Sequence, residues 1–148
     1  MLHAVLTVRR SSIAELRAEE HGLCAMNWDE AHPGEPFAID WELYHQLEDR
    51  GAVDVLAAWD GSRMAGYIVT THYVHPQSGE RTACSAGCYV RAGADAGFAL
   101  RRMLRLAADV ARSRSSALVV DDRVNGRLGR LLCREGFRPV STVYARSL

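Results

Sequence analysis

The sequence predicts a single α/β domain, a mixed sheet with helices on its faces. Three observations carry that reading. The chain has 148 residues, enough for one cohesive core and too few for two. Apolar residues alternate along some segments and recur at helical spacing in others. Turn signals stand between those segments, above all Asp60-Gly61 between two apolar runs.

Taken in order, residues 2–9 alternate as a strand. Ser12 and Glu15 form a capping box ahead of Ile13 and Leu16, and the helix it opens is expected to run to about residue 26. Residues 31–37 (AHPGEPF) hold two prolines and a glycine and are loop. Asp40 is placed to cap a second helix over 41–50, with Gly51 as its stop. Strands are predicted over 53–59, 64–74 and 82–90, with turns at 60–63 and 75–81. A loop over 91–95 opens a long amphipathic helix whose apolar face holds Phe98, Leu100, Met103, Leu104, Ala107 and Val110. A short buried strand over 117–120, a helix over 125–135 closed by Gly136, and a final extended segment over 137–148 complete the order.

Composition excludes several classes of function. Lys plus Arg and Asp plus Glu both number 18, so no global field draws the chain to nucleic acid or to a membrane surface. The basic cluster of Arg101, Arg102, Arg105, Arg112 and Arg114 reads as a solvated helix face. The N-terminal MLHAVLTVRRSS lacks the order of a signal peptide, which points to the cytoplasm. Cys84 and Cys88 lie on one strand face roughly 13 Å apart, too far to share a metal or a disulfide. With Cys24 and Cys133 they read as small core hydrophobes in a reducing compartment. The six histidines show no ligand spacing, so no metal is expected, and His72 and His75 read as solvated loop residues.

Two segments carry a family resemblance. Tyr89-Val90-Arg91-Ala92-Gly93-Ala94-Asp95-Ala96-Gly97-Phe98-Ala99-Leu100 is a strand end followed by a small-residue turn that opens a helix. Asn125 is followed by Leu131-Leu132-Cys133-Arg134-Glu135-Gly136-Phe137, a helix closed by Gly-Phe. With the element order, these resemble the acyl-CoA loop and the following helix and turn of the GNAT superfamily, the acyl-CoA-dependent N-acyltransferases. The resemblance implies that fold, and transfer of an acetyl group from acetyl-CoA to an amine. It implies a cofactor-binding set of Tyr89, Val90, Arg91, Asp95, Ala96, Gly97, Phe98, Ala99 and Asn125. Small residues at Gly97 and Ala99 let backbone N–H groups at the helix start approach a pyrophosphate. Ala94 stands where the family has Arg or Gln, and Asp95 puts a negative charge beside the expected phosphates.

More narrowly, Asn27-Trp28-Asp29-Glu30, Asp40-Trp41-Glu42-Leu43-Tyr44, Gly66-Tyr67, His72-Tyr73-Val74-His75-Pro76 and Arg138-Pro139-Val140-Ser141-Thr142-Val143-Tyr144 are similar to GNAT-like proteins of tailed bacteriophages and prophages.

Acyl transfer from a thioester to an amine needs a polarised carbonyl, a proton acceptor for the amine and a proton donor for the thiolate. The resemblance places the carbonyl near backbone N–H groups at 89–91. It places the donor at Leu132, which has no proton to give, and Cys133 projects about 100° away around the helix. Tyr144 is then the remaining catalytic candidate. Residues 82–90 hold no Asp, Glu or His, and Ala86 stands where the phage-type relatives carry an acid. Asp29, Glu30 and Glu42 are candidates to line an acceptor pocket, with Trp28 and Trp41 packed over that side. Two functions stay open: an acetyl-CoA-dependent N-acetyltransferase with a depleted side-chain set, or a non-catalytic GNAT-fold phage protein. The second has a virion-structural or host-interaction role, with other phage proteins as partners.

Overall fold

The computed structural model describes residues 6–93, 95–123 and 126–148. Strand β1 (Thr7–Ser11) leads into α1 (Ile13–Arg17) through the expected capping box: Glu15 N–H donates to Ser12 Oγ at 3.1 Å and Ser12 N–H to Glu15 Oε2 at 2.9 Å. The predicted single helix is instead broken. A π-helical stretch, Glu20–Cys24, bends at Gly22 (φ −110°, ψ −106°) before α2 (Ala25–Ala31) resumes. A π-helical stretch and a glycine together are a recognised cause of such a kink. Helix α3 (Trp41–Asp49) is capped by Asp40, whose Oδ1 accepts Leu43 N–H at 2.9 Å.

Strands β2 (Val53–Asp60) and β3 (Arg63–Val74) form the predicted hairpin, with Asp60 opposite Arg63 and Gly61 at φ 58°. Strand β4 (Arg81–Val90) follows, then α4 (Ala96–Arg112), β5 (Ala117–Val119) and α5 (Leu128–Arg134). The five strands lie in the order β1-β2-β3-β4-β5. All neighbours are antiparallel except β4 and β5. Residues 138–148 join no strand, contrary to the final extended element expected at the end of the chain.

Each sheet face has its own core. Ile13, Leu16, Leu23, Trp41, Val55, Tyr67 and Val69 pack beneath α1–α3. Ile68, Met103, Leu104 and Leu132 pack beneath α4 and α5. The alternation along β3 explains the division, since Tyr67 and Val69 face one core and Ile68 the other.

At the end of the sheet remote from the α4 N-terminus, Asp54 on β2 is a buried charge. Its Oδ1 accepts Arg10 Nη2 at 2.5 Å, and its Oδ2 accepts His72 Nε2 at 2.8 Å and an Arg114 N–H. His72 Nδ1 is hydrogen-bonded to Ser115 Oγ at 2.9 Å. The His72 side chain is only 2% exposed, so the solvated-loop reading of this residue is corrected. Its partners lie 18 and more residues away, where local sequence gives no signal. The α4 residues Arg101, Arg102, Arg105 and Arg112 are exposed, as expected for a solvated face. Arg101 Nε and Arg105 Nε each donate to Glu135 at 2.7 Å, tying α4 to the end of α5. Of the cysteines, Cys24 is a core residue and Cys133 is exposed.

Candidate active-site cleft

Strands β4 and β5 pair over three residues only, Thr82–Cys84 against Ala117–Val119. Immediately beyond, β4 carries a bulge against β3. Val69 faces Gly87 while Thr70 faces Ser85, leaving Ala86 extra. A bulge bends its strand and increases local twist. The second half of β4 therefore leaves β5, and a cleft of about 1140 Å³ opens between them. One wall is Ser85–Val90 of β4; the other is the 121–123 segment with Gly126, Arg127, Leu128 and Leu131. Residues of α2 and α3 line the adjoining side, and Ala96 and Gly97 of the α4 N-terminus stand at the cleft. No side chain caps that end of α4; Asp95 makes no capping hydrogen bond. A 17-residue helix end without a side-chain cap favours an anion.

The polar groups of the cleft are held by one another. Asp121 N–H donates to Ser85 Oγ at 3.1 Å, fixing the apex where the strands part. Arg123 crosses the opening to α2, donating to Asn27 Oδ1 at 2.6 Å and Glu30 Oε2 at 3.1 Å. Asn27 Nδ2 in turn donates to Tyr67 Oη at 2.9 Å, and Tyr89 Oη to Glu30 Oε1 at 3.4 Å. Asp122 Oδ2 accepts Gly129 N–H at 2.8 Å in the first turn of α5. Burial pushes the Tyr67 phenol well up, and burial with the nearby Glu30 raises that of Tyr89. Both therefore stay protonated near neutrality. Burial pushes the Cys24 and Cys88 thiols up to about 12, so neither supplies a thiolate nucleophile.

The structure brings Tyr89, Val90, Ala96 and Gly97 of the expected cofactor set to the cleft. Arg91 donates its backbone N–H to Ala65 O at 2.8 Å, and its side-chain Nε is buried without an acceptor among the described residues. Asp95 and Phe98 are exposed outside the lining, and Ala99 is buried in the core below it. Ala94 and Asn125 lie outside the described residues. Tyr144 is 91% exposed in the tail and is not brought to the cleft. On α5 the cleft-facing residues are Leu128 and Leu131, while Leu132 is in the core, so this helix presents no hydroxyl at either position. Glu30 does line the cleft; Asp29 and Glu42 do not. Sequence reasoning passed over Ser85, Asp121 and Arg123, which carry no motif and meet only through the parting of β4 from β5.

A bulged central strand parting from a parallel neighbour, with a helix N-terminus at the opening, is the architecture of the GNAT acyl-CoA N-acyltransferases, and this chain has that fold. It is similar to the ribosomal-protein-alanine N-acetyltransferase of Brucella melitensis biovar Abortus 2308, with TM-score 0.72 and 18% identity over 97% of this chain and 99% of that one. It is also similar to an aminoglycoside acetyltransferase from an uncultured soil metagenomic sample (TM-score 0.70, 12% identity, 97% of each chain). A transcriptional regulator from Bacillus halodurans C-125 shares the fold too (TM-score 0.77, 13% identity, 97% and 100%). No family model matches the sequence, and no curated protein does. Among the described residues no His, Cys, Asp or Glu cluster is placed to hold a metal ion, and no helix is long and apolar enough to cross a membrane.

Proposed function

We propose that the chain is an acyl-CoA-dependent N-acyltransferase that joins an acetyl group to an amine. The observation that carries this is the cleft itself: an unpaired edge of β4 on one side and the uncapped start of α4 at its end. An added Cβ at Gly97 would meet nothing within 4 Å, so this turn leaves room for a bulky anion. The pyrophosphate of acyl-CoA fits that end, held by the backbone N–H groups of Asp95, Gly97 and Phe98, since those of Ala96 and Ala99 donate to Gly93 O and Asp95 O. The pantetheine arm fits beside the free edge of β4. Acetyl-CoA supplies the activated acyl group.

The residues of this chain then have separable roles. The Val90 backbone N–H is the donor placed to polarise the carbonyl, since that of Arg91 is taken by Ala65 O, and such a donor survives side-chain loss. Asp121 and Glu30 are the carboxylates that can take the amine proton, directly or through water. Tyr67 and Tyr89 offer protonated phenols at the cleft, the form a donor to the departing sulfur requires. The amine nitrogen bonds to the carbonyl carbon, the C–S bond breaks, and the proton lost by nitrogen balances that gained by sulfur. The names of two structural neighbours, a ribosomal-protein-alanine N-acetyltransferase and an aminoglycoside acetyltransferase, support an amine as the acceptor.

Calorimetry with acetyl-CoA tests the proposal; saturable one-to-one binding is expected. A second reading rests on Ala86, Leu131 and Leu132, apolar where acid–base side chains would help. It makes the chain a non-catalytic phage protein that uses the fold as a scaffold. Absence of acetyl-CoA binding together with stoichiometric copurification with phage particles would favour that reading.

A further inference from the structure

The acceptor side of the cleft has a composition of its own. Its floor is Leu16, Ile39, Trp41, Tyr44, Tyr67 and Val69, part of the core between α1–α3 and the sheet. The charged groups lining the cleft are Glu30, Asp121 and Asp122 against Arg123 and Arg127. Glu30 is matched by Arg123, and Asp122 is engaged at the start of α5. Asp121 has no ion-pair partner among the described residues. The cleft thus combines one carboxylate without an ion-pair partner among the described residues and an apolar floor half of which is aromatic.

One polar group of that floor is unsatisfied. Trp41 is 7% exposed and lines the cleft, and its indole Nε1 has no hydrogen-bond acceptor among the described residues. A buried N–H without a partner is disfavoured and calls for an explanation. An oxygen atom of a bound ligand supplies one.

We infer that the acceptor is a primary amine on an apolar, ring-sized body bearing a neutral hydrogen-bond-accepting oxygen, with Asp121 facing the ammonium and Trp41 donating to the oxygen. This rests on the acyltransferase reading and narrows it to a substrate class. The reasoning is one of matching. A single ammonium meets a single carboxylate without an ion-pair partner among the described residues, whereas further positive charges on an oligoamine would be desolvated against tryptophan and tyrosine without counter-charge. The ring replaces water on the apolar floor, and the oxygen completes the Trp41 N–H. A site whose buried donor is left unpaired by an analogue discriminates against that analogue.

The test is a panel of three amines at saturating acetyl-CoA, read as release of free CoA thiol. Phenylalaninamide has ring, amine and carbonyl; phenethylamine lacks the carbonyl; spermidine lacks ring and carbonyl and carries extra charges. The expected order of kcat/KM is phenylalaninamide, then phenethylamine, then spermidine, with the carbonyl worth roughly tenfold, the size of one hydrogen bond. In Trp41→Phe, which keeps a ring and removes the N–H, the preference for phenylalaninamide over phenethylamine should fall toward one. The panel on the unmodified protein decides the matter even if that variant does not fold. Acetyl-CoA binding with spermidine as the best acceptor, or with none of the three amines accepted, overturns the substrate class and leaves the acyltransferase reading standing. No acetyl-CoA binding at all overturns both.

Discussion

At Gly97 a side chain would meet empty space, and at Gly66 it would meet Tyr89 O at 2.8 Å. The two glycines therefore answer different demands. Gly66 is required by the close approach of β3 to β4, a packing reason. Gly97 has no such reason among the described residues, and on the proposed function the phosphates of acyl-CoA would provide one. Gly97→Val should leave thermal stability unchanged or slightly raised, because valine is a better helix former than glycine. Acetyl-CoA affinity should nevertheless drop roughly tenfold or more, the loss of one hydrogen bond to a charged group. Calorimetry and a thermal melt on the same variant check both halves, and unchanged affinity would remove the phosphates from this turn. The small residues of this loop were legible in the sequence because their chemistry is local. Asp121 and Arg123 were not: each becomes a site residue only when β4 and β5 part.

Elements are tied by two ion clusters whose energetics differ. Asp54 is 2% exposed and anchors β1, β3 and the end of α4 through Arg10, His72 and Arg114. Removing it leaves Arg114 and His72 without their acceptor, so Asp54→Ala should cost about 3 kcal/mol in urea denaturation, the low end for a broken buried pair. Arg10 is 63% exposed and can turn to water; Arg10→Ala should cost below about 1 kcal/mol. Equal losses would mean that the carboxylate is not the hub. The second cluster joins α4 to α5. Arg105, and then Arg101, hold the Glu135 carboxyl below its ordinary value of 4.5. A depressed carboxyl contributes stability above its unfolded-state pKa and loses that contribution as pH falls through its folded-state pKa. Stability–pH curves of the native chain and of Glu135→Gln should therefore separate at neutral pH and converge in acid; parallel curves would show that the bridge contributes nothing. Element ends written in local chemistry, such as the Ser12–Glu15 box and the Asp60–Arg63 turn, were legible in advance. The Gly22 kink and the Ala86 bulge were not: a lone glycine inside a helical pattern is tolerated as often as it breaks the helix, and alanine carries no bulge signal.

At the scale of the whole molecule, the two cores, the cleft and the turn that opens α4 all precede Phe137, which packs against the core beneath α4 and α5. Beyond it, Val140, Val143, Tyr144 and Leu148 are 69%, 81%, 91% and 118% exposed. Strand-forming composition alone led to the expectation of a final extended element; without a partner strand, such a segment gains neither ladder hydrogen bonds nor burial. Deleting residues 139–148 should then change stability by no more than about 0.5 kcal/mol, as for a surface change away from packed features. The same deletion tests the catalytic candidate that sequence placed at Tyr144. If that phenol donates the proton to the departing sulfur, the truncated chain should bind acetyl-CoA normally but turn over about 10²–10⁴ times more slowly. If the cleft phenols Tyr67 and Tyr89 suffice, turnover should persist. A truncated chain that no longer folds would place the tail against the sheet in solution, most simply along the free edge of the three-residue strand β5. In that event Tyr144→Phe in the full-length chain separates the chemistry from the packing, since it removes only the hydroxyl.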